Sequence, residues 1–544
     1  MALLRKLMQS RLFVTMMLLL MIMLMAVGVV VVPVLMRGGP GNIRISPETT
    51  YVVEPLREDG QVDFLRAYNN HVKEGFEGQE NGTVLLVQAF GPASLESQFG
   101  ANSLGSLSAL YRELGMAPLS TDGDYFVTWD FAGRVLSPLD FESLPDELKQ
   151  ELPPSKGDEA LTLRRLPPSV ATWLNEELES CLAAPWQRRE HPAVARWLEE
   201  SAIPLEKVIA AANCPVRWIP YAAKNETDTL VAVPLADMMM SLRSATRALV
   251  ARSYLRAGTG DLDGAINDAI ATIQLGQSHT PRTTILVRLV NAAIFSMGCE
   301  CAAHLATSGT LDAAALDRLA RELDAFSPTA DFVETIAVSE RIEAISAVDA
   351  WASDPNIADK LDSIPRMPKL VNYALDWNDV LIKINGYYDQ IATLRTAVTS
   401  WQRLEMAEQL KTTFEATMSK PRPWRLLTLS GRSELIGEAL ALMMMPTFSG
   451  AFGIEVHAES TLLMTKISVA LERYRLANGE YPTALNQLGP DLLTVERIDP
   501  FDGKPLRYRR TEHGYLLYSV GKNRDDDGGH TENDLVSQMP TPSQ

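Results

Sequence analysis

Residues 12–36 form a run of 25 residues without a charged side chain, LFVTMMLLLMIMLMAVGVVVVPVLM. As a helix this run would be about 37 Å long, which exceeds the roughly 30 Å thickness of a bilayer's hydrocarbon core. Arg5, Lys6 and Arg11 precede the run and only Arg37 follows closely, so the positive-inside bias places the N-terminus in the cytoplasm. The sequence therefore predicts a transmembrane anchor within residues 1–37 and an inner-membrane protein whose bulk is extracytoplasmic.

A cleaved signal peptide is the alternative interpretation of this run. Ala26-Val27-Gly28 would be a small-x-small cleavage site. The run continues to Met36, however, and is longer than the 7 to 15 residues or so of an ordinary signal h-region, so we favour a retained anchor. A second apolar stretch, residues 435–454, is interrupted by a glutamate, a proline and a glycine, which favours a buried helix over a second span.

The net charge and the cysteine spacing restrict which partners, metal sites and disulfides the chain can have. The 544 residues carry a formal net charge of −18 at pH 7, and an acidic surface repels phosphate groups, so we expect no nucleic-acid partner. None of the four cysteines forms a C-x-x-C pair or stands at zinc-ligand spacing. Cys181 and Cys214 either pair in an oxidising compartment or serve as small buried hydrophobes.

The predicted fold class is α+β, mostly α, in four parts. Residues 1–37 hold the anchor, residues 38–230 are a mixed α/β region, residues 231–425 a helical domain, and residues 426–544 a helix followed by a small antiparallel sheet. The mixed region has a helical pattern through Phe64, Leu65, Tyr68 and Val72 and contains four tryptophans of interest: Trp173, Trp186, Trp197 and Trp218.

The helical domain contains one segment, residues 260–266 (GDLDGAI), that resembles the inter-helix turn of a tetratricopeptide repeat. Ser253 and Arg256 depart from the rest of that pattern, because small or aromatic residues are expected there. A single unit cannot form a solenoid, so the sequence predicts a helical-hairpin domain. Further along, the helical period places Ile391, Leu394 and Val398 on one buried face.

The C-terminal part begins with a helix, because Leu463, Ile467, Leu471 and Tyr474 recur every three or four residues. Residues 478–479 (NG) end that helix, and residues 499–503 (DPFDG) form a turn. A hairpin follows around Gly514, with alternating apolar residues on its two strands: Leu506 and Tyr508, then Leu516, Tyr518 and Val520.

Five short motifs occur in this part in a fixed order: residues 470–475 (ALERYR), 478–482 (NGEYP), 499–503 (DPFDG), Tyr508, and 517–521 (LYSVG). They resemble the head of the type II secretion major pseudopilins, which have A-L-x-x-Y-x-x-x-N-G-x-Y-P, then D-P-[WF]-G-x-P-Y-x-Y, then Y-S-x-G-x-D-G. The resemblance implies a pseudopilin-like head. The chain lacks the prepilin peptidase site of that family, so assembly into a pseudopilus by the usual route is not implied.

The whole arrangement also resembles a group of uncharacterised bacterial membrane-anchored proteins. That group shares the same head and an opening like residues 54–56 (EPL) to 89–92 (AFGP).

Asn523, Asp525 and Asp527 are spaced two apart, Gly528 follows, and Asp534 stands at the twelfth position. This spacing approaches a calcium-binding loop, in which six or seven oxygens surround the ion. No helix can follow in the short tail, so the segment is not an EF-hand. Calcium binding by pseudopilin heads implies the same for this loop; a solvated acidic turn is the alternative.

No catalytic motif is present: the sequence has no P-loop, no G-x-S-x-G, no H-E-x-x-H and no G-x-G-x-x-G, and its histidines show no metal-ligand spacing. We therefore favour a non-enzymatic, membrane-anchored protein that serves binding or assembly at the cell envelope. Two alternatives remain open: an envelope hydrolase whose site lies in residues 42–230, with the tryptophans lining a glycan groove, and a secretion-related adaptor.

Overall fold

The computed structural model describes residues 43–96, 106–129, 144–151, 167–223, 230, 236–277, 282–327, 332–353, 375–418, 423–530 and 534–539. These residues are mostly helical, with one small three-stranded antiparallel sheet, which confirms the α+β, mostly α, class. The predicted anchor over residues 12–36 lies outside the described residues.

The described part of residues 38–230 is helical, where the sequence indicated a mixture of helix and strand. In this part the backbone makes only isolated bridges, Leu56 with Val62 and Asn81 with Val216, in place of strands. The helices are α1 (Phe64–Lys73), α2 (Gly82–Glu96), α3 (Leu107–Glu113), α4 (Asp146–Lys149), α5 (Pro168–Cys181), α6 (Pro192–Glu200) and α7 (Ala202–Ala212).

The helical body follows with α8 (Ala236–Thr259), α9 (Leu262–Gly276), α10 (Ile285–Thr307) and α11 (Ala313–Asp324). The turn predicted between α8 and α9 is present: Gly260 has a φ of +87°, and the Asp261 carboxylate caps α9 by accepting from the Gly264 N–H. Among the described residues, α10 alone is long and apolar enough to cross a membrane. It packs between α9 and the long helix described below, and most of its apolar window is buried, so it is a core helix.

A π-helical turn interrupts the next helix. The short helix α12 (Phe332–Glu334) leads into the π turn Thr335–Glu340, and α13 (Arg341–Ser353) continues from it. The helices α14 (Trp377–Ala392) and α15 (Ser400–Met418) complete the body. Ile391 and Leu394 are buried as predicted, but Val398 is 88% exposed, because the helix ends before it and the periodic face does not continue.

The long helix α16 (Leu429–Asn478) contains 50 residues, so a straight helix of this length would extend about 75 Å. It joins the apolar stretch 435–454 and the predicted helix through Leu463 and Tyr474 into one element. The Thr428 hydroxyl caps its start, and Gly479, with a φ of +81°, ends it as predicted. Its first turns pack on α14, its middle on α10, and its last turns in the head.

The head sheet has the order β1 (Arg507–Arg510), β2 (Tyr515–Ser519) and β3 (Leu535–Met539). The hairpin around Gly514 is confirmed, whereas β3 was not predicted. On β2, Tyr515 and Leu517 pack into the small core of the head. The sequence pattern instead predicts the alternate residues Leu516, Tyr518 and Val520. The acidic loop covers the opposite face of β2, where Gly529 lies against Leu516 and Tyr518.

Candidate functional site

The predicted calcium ligands lie on the loop that connects β2 to β3. Asn523 and Asp527 come together, because the Asn523 Nδ2 donates to Asp527 Oδ2 at 2.8 Å. The Asp525 N–H donates to Asn523 Oδ1 at 3.3 Å, and the Asp525 side chain is exposed. Arg524 and Gly528 both have a positive φ, so the loop turns sharply there.

Asp534 differs from the other three predicted ligands, because it is only 5% exposed. Its Oδ2 accepts from the Gly529 N–H at 2.8 Å, whereas its Oδ1 is buried without a hydrogen-bond partner. A buried carboxylate oxygen without a donor is destabilising unless a cation or water satisfies it. Across the described residues, no three His, Cys, Asp or Glu side chains lie close enough to hold a metal ion. The fit to calcium therefore rests on Asp534 and the shape of the loop.

A fourth acid of this loop, Asp526, was not predicted and contacts two residues of the sheet. Tyr518 donates to its Oδ1 at 2.9 Å and Arg507 lies 3.5 Å from its Oδ2, and together these contacts lower the pKa of Asp526. Arg507 also contacts Asp499 at 3.0 Å and Asp502 at 2.6 Å. Arg507 thus fastens the loop and the 499–503 turn to the sheet.

A second candidate site is a pair of carboxyl groups at the end of the π turn, the buried Glu340 and the half-buried Glu343. Glu340 is 8% exposed, and its Oε1 accepts from the Ile285 N–H at 2.6 Å, at the first turn of α10. Glu343 lies one turn further and accepts from the Tyr221 hydroxyl. Burial raises the pKa of Glu340 to about 7, and burial together with Glu340 raises the pKa of Glu343 well above its ordinary value. Both shifts favour the protonated forms of the two carboxyl groups.

Aromatic and polar side chains from other elements enclose the pair. The phenols of Tyr68, Tyr221 and Tyr388 are buried, and burial raises the pKa of all three. His71 lies 3.3 Å from the Ser339 hydroxyl, and burial lowers the pKa of His71 to about 4, so this imidazole is neutral. The cluster can hold and exchange a proton. Its sequence signal is weak, because residues 339–344 (SERIEA) read as an ordinary helix.

A third feature is a cleft of about 550 Å³ between the head and the helical body. Its apolar lining comes from both parts: Phe326, Val398, Trp401, Leu462, Leu463, Val495 and Ile498. Of the charged side chains in its wall, Glu459 and Lys466 have pKa values that burial shifts. Burial raises the pKa of Glu459, which accepts from Ser400, and burial lowers the pKa of Lys466, which donates to the Phe326 carbonyl at 2.9 Å.

Trp401 forms part of the contact between α15 and the head. A Cβ at Gly503 would lie 2.8 Å from the Trp401 ring, and Gly503 has a φ of +70°. Only glycine allows this close approach in that backbone conformation. The glycine of the 499–503 motif therefore has a packing role that the sequence pattern alone does not show.

The four tryptophans proposed to line a glycan groove belong to the core instead. Trp186 and Trp197 are 3% and 1% exposed and donate to the carbonyls of Ala251 and Val127, respectively. Trp173 and Trp218 are half-buried and pack against the same core. The four cysteines are buried and free, so Cys181 and Cys214 are not joined.

Searches with protein-family models, against curated proteins and against solved structures found no match to this chain.

Proposed function

We propose that this chain is a single-pass inner-membrane protein, anchored by residues 12–36, that displays a pseudopilin-like head for binding or assembly at the cell envelope. The observation that carries the proposal is the unbroken helix α16. It runs from the end of the molecule where the described chain begins to the head. A pseudopilin head is likewise carried on a stem helix, so α16 supports the resemblance drawn from the sequence.

The contacts at the first described residues hold the start of the described chain near the start of α16, away from the head, which supports an anchor on that side. The Arg44 N–H donates to Asn378 Oδ1 at 2.8 Å, and the Asp376 N–H donates to the Ser433 hydroxyl at 2.8 Å. The chain that emerges from the anchor is thus held near the start of α16, and the head lies near the other end of that helix.

The cleft between head and body is the surface that we propose for binding. Its exposed apolar residue Val398 and the half-buried Trp401 suit apolar side chains of a protein partner, and Glu459 and Lys466 offer opposite charges. An occupant would contact both the head and the body.

A photo-crosslinking amino acid at Val398, in the full chain in its native membrane, tests this surface. Capture of an envelope protein from position 398, and not from the equally apolar exposed Ile203 on α7, is expected. Capture of a secretion component would favour the adaptor form of the proposal. Equal capture at both positions, or none at 398, would argue against binding in this cleft.

The location is tested separately by topology reporters fused after Gln544. Alkaline phosphatase is active only outside the cytoplasm, and green fluorescent protein is fluorescent mainly inside it. We expect an active phosphatase fusion and a dark fluorescent fusion. The reverse pattern would exclude an extracytoplasmic body.

We further propose that the loop of Asn523, Asp525, Asp527 and Asp534 takes Ca²⁺. The unpartnered Oδ1 of Asp534 and the sharp turn at Gly528 support this assignment. Extracytoplasmic calcium modules bind with Kd values of about 10⁻⁴–10⁻³ M. Such an ion would brace the edge of the head and supply no chemistry.

An envelope hydrolase is the second candidate, and the pair Glu340 and Glu343 is the observation that favours it. Paired carboxyl groups with raised pKa values are the ordinary means of general acid–base catalysis. Tyr68 and Tyr221, both from the region proposed for such a site, face the pair, and His71 contacts the neighbouring Ser339. Turnover of envelope glycan or peptide by the full chain, lost in both Glu340→Gln and Glu343→Gln, would establish this function, and no turnover would dismiss it.

A further inference from the structure

Three large apolar side chains are exposed within four residues, just before α16 begins. Trp424, Leu426 and Leu427 are 63%, 57% and 72% exposed, on the 3₁₀ turn Pro423–Leu427. Exposed apolar residues that occur singly need no explanation, but a contiguous group marks a contact surface. We call these three side chains the apolar tip.

The segment of sequence that contains the apolar tip is basic, whereas the whole chain is acidic. Residues 419–433 contain four basic residues and no acid, whereas the chain has a net charge of −18. One of these basic residues, Arg425, is paired with Glu434 and Glu438. A tryptophan and two leucines within a basic segment have the composition of a surface that lies at the bilayer interface, with the rings at headgroup depth.

The apolar tip is on the same end of the molecule as the exit from the proposed anchor. Ser433, one turn into α16, donates to the Leu429 carbonyl and accepts from the Asp376 N–H. Asn378, two residues after Asp376, accepts from the Arg44 N–H. Asn385 holds the same incoming segment by donating to the carbonyls of Glu48 and Thr49. A short series of contacts thus connects residue 44 to the apolar tip.

The chain between the anchor and residue 43 is short. Six residues separate Met36 from Ile43, so even fully extended they reach no more than about 25 Å. If the anchor ends at the bilayer surface, Ile43 and the elements that hold it lie close to that surface. A membrane is therefore the surface most available to the apolar tip.

We propose that Trp424, Leu426 and Leu427 dock into the outer leaflet of the bilayer that holds the anchor. This docking rests on the proposed membrane tether. It adds a second attachment at the start of α16, which fixes the direction of that helix and carries the head away from the lipid. A phospholipid interface is the occupant; a second copy of the chain or a protein partner would be a different result.

The test uses the full chain in nanodiscs of mixed zwitterionic and anionic phospholipid. An environment-sensitive fluorophore is attached at Leu427→Cys, at Val398→Cys as an exposed apolar control by the head, and at Ala26→Cys within the anchor. The four native cysteines are buried, and the labelled unsubstituted chain measures their background. A lipid with a quencher just below the headgroup reports depth, and iodide reports contact with water.

We expect the lipid quencher to lower the fluorescence at position 427 by about two-fold, because interfacial apolar faces insert roughly 5–10 Å. Position 398 should respond to iodide alone. Adding Leu426→Glu should abolish the lipid quenching at 427, whereas Ile203→Glu, at a side chain that is 59% exposed elsewhere, should not.

The docking would be overturned if iodide quenched the fluorophore at position 427 and the lipid quencher did not. It would also be overturned if neither quencher reached position 427, because the apolar tip would then be covered by protein. Position 26 separates this failure from that of the tether. Lipid quenching at 26 without quenching at 427 would contradict the docking alone. Quenching at 427 without quenching at 26 would support the docking and contradict the tether. Quenching at neither position would contradict both proposals.

Discussion

Glu340 makes the stability of the protein depend on pH. Its pKa rises from an ordinary 4.5 to about 7 on folding, so between these values the folded protein holds a proton that the unfolded chain has lost. The contribution of Glu340 to stability is therefore greatest below pH 4.5, falls as the pH rises through this window, and is lost above about 7. The full effect of such a shift is about 3 kcal/mol.

Glu340→Gln should remove the part of this dependence that comes from Glu340, because the amide stays neutral. Relative to the variant, the native chain should lose about 2–3 kcal/mol of unfolding free energy between pH 4.5 and 8, measured by chemical denaturation across that range. Glu176→Gln, at an exposed glutamate of α5, should leave the pH profile unchanged. Parallel profiles for the native chain and Glu340→Gln would show that Glu340 is ionised in the folded state.

Asp268 explains why Arg256 departs from the tetratricopeptide pattern. The Asp268 side chain is fully buried between two arginines, with the Arg252 Nη2 at 2.8 Å and the Arg256 Nη1 at 2.9 Å. Ser253 is also fitted to this interface, because its hydroxyl donates to the Ala265 carbonyl at 2.8 Å. The sequence showed the departures; the reason for them is a pairing across α8 and α9 that no local pattern encodes.

Asp268→Asn should destabilise the protein by up to about 3–5 kcal/mol, because the buried Arg252 would keep only the largely exposed Glu206, at 3.0 Å, as a counter-charge. The control is Glu199→Gln, whose partner Arg188 is largely exposed, and a change within about 1 kcal/mol is expected there. Both are measured as denaturant midpoints. A loss at Asp268 no larger than at Glu199 would mean that water reaches the buried pair.

At the scale of elements, two glycines on different helices should respond oppositely to alanine. A Cβ at Gly276, on α9, would overlap the Phe295 backbone of α10, whereas Gly386, on α14, has no atom near the corresponding position. Gly276→Ala should destabilise by about 1–3 kcal/mol, because neither backbone can move aside easily. Gly386→Ala should stabilise by about 0.5–1 kcal/mol through helix propensity. Thermal unfolding measures both, and equal shifts would contradict close packing of α9 on α10.

The acidic loop should stabilise the head when calcium is added. With a Kd of about 10⁻⁴–10⁻³ M, 10 mM Ca²⁺ would add roughly 1.4–2.7 kcal/mol to the free energy of unfolding. Asp534→Asn should abolish the calcium-dependent part, and Glu512→Gln, at an exposed acid in the hairpin turn, should keep it. Calorimetry of the full chain with and without calcium measures this stabilisation. An identical shift in the native chain and in both variants would indicate a general salt effect.

Elements with a strong local signal were predictable from the sequence. The cap at Asp261, the stop at Gly479 and the hairpin around Gly514 follow from single residues whose backbone preferences decide the outcome. Elements that depend on tertiary pairing were not. The strand β3 exists because β2 offers an unpaired edge, and Val398 is exposed because α14 ends before it.

At the scale of the whole molecule, the sequence favoured a separate head, but α16 is common to both hydrophobic cores. Phe452 and Val456 belong to the large core of the body, and Ile467 and Leu471, further along the same helix, belong to the small core of the head. Periodicity could predict each buried face, but not that one continuous helix would connect them.

Because one helix serves both cores, the body and the head should unfold together. Val456→Ala and Leu471→Ala should each lower the stability of both parts, by about 1–3 and 2–5 kcal/mol, respectively. Hydrogen exchange at α10 amides and at β2 amides reports the two parts separately. If α16 couples them, each substitution lowers protection at both sites by a similar free energy, whereas Leu476→Ala, at a side chain that is 46% exposed near the end of α16, changes neither. Loss confined to β2 in Leu471→Ala, with α10 unaffected, would show that the head is an independent unit carried on a helix that transmits no stability.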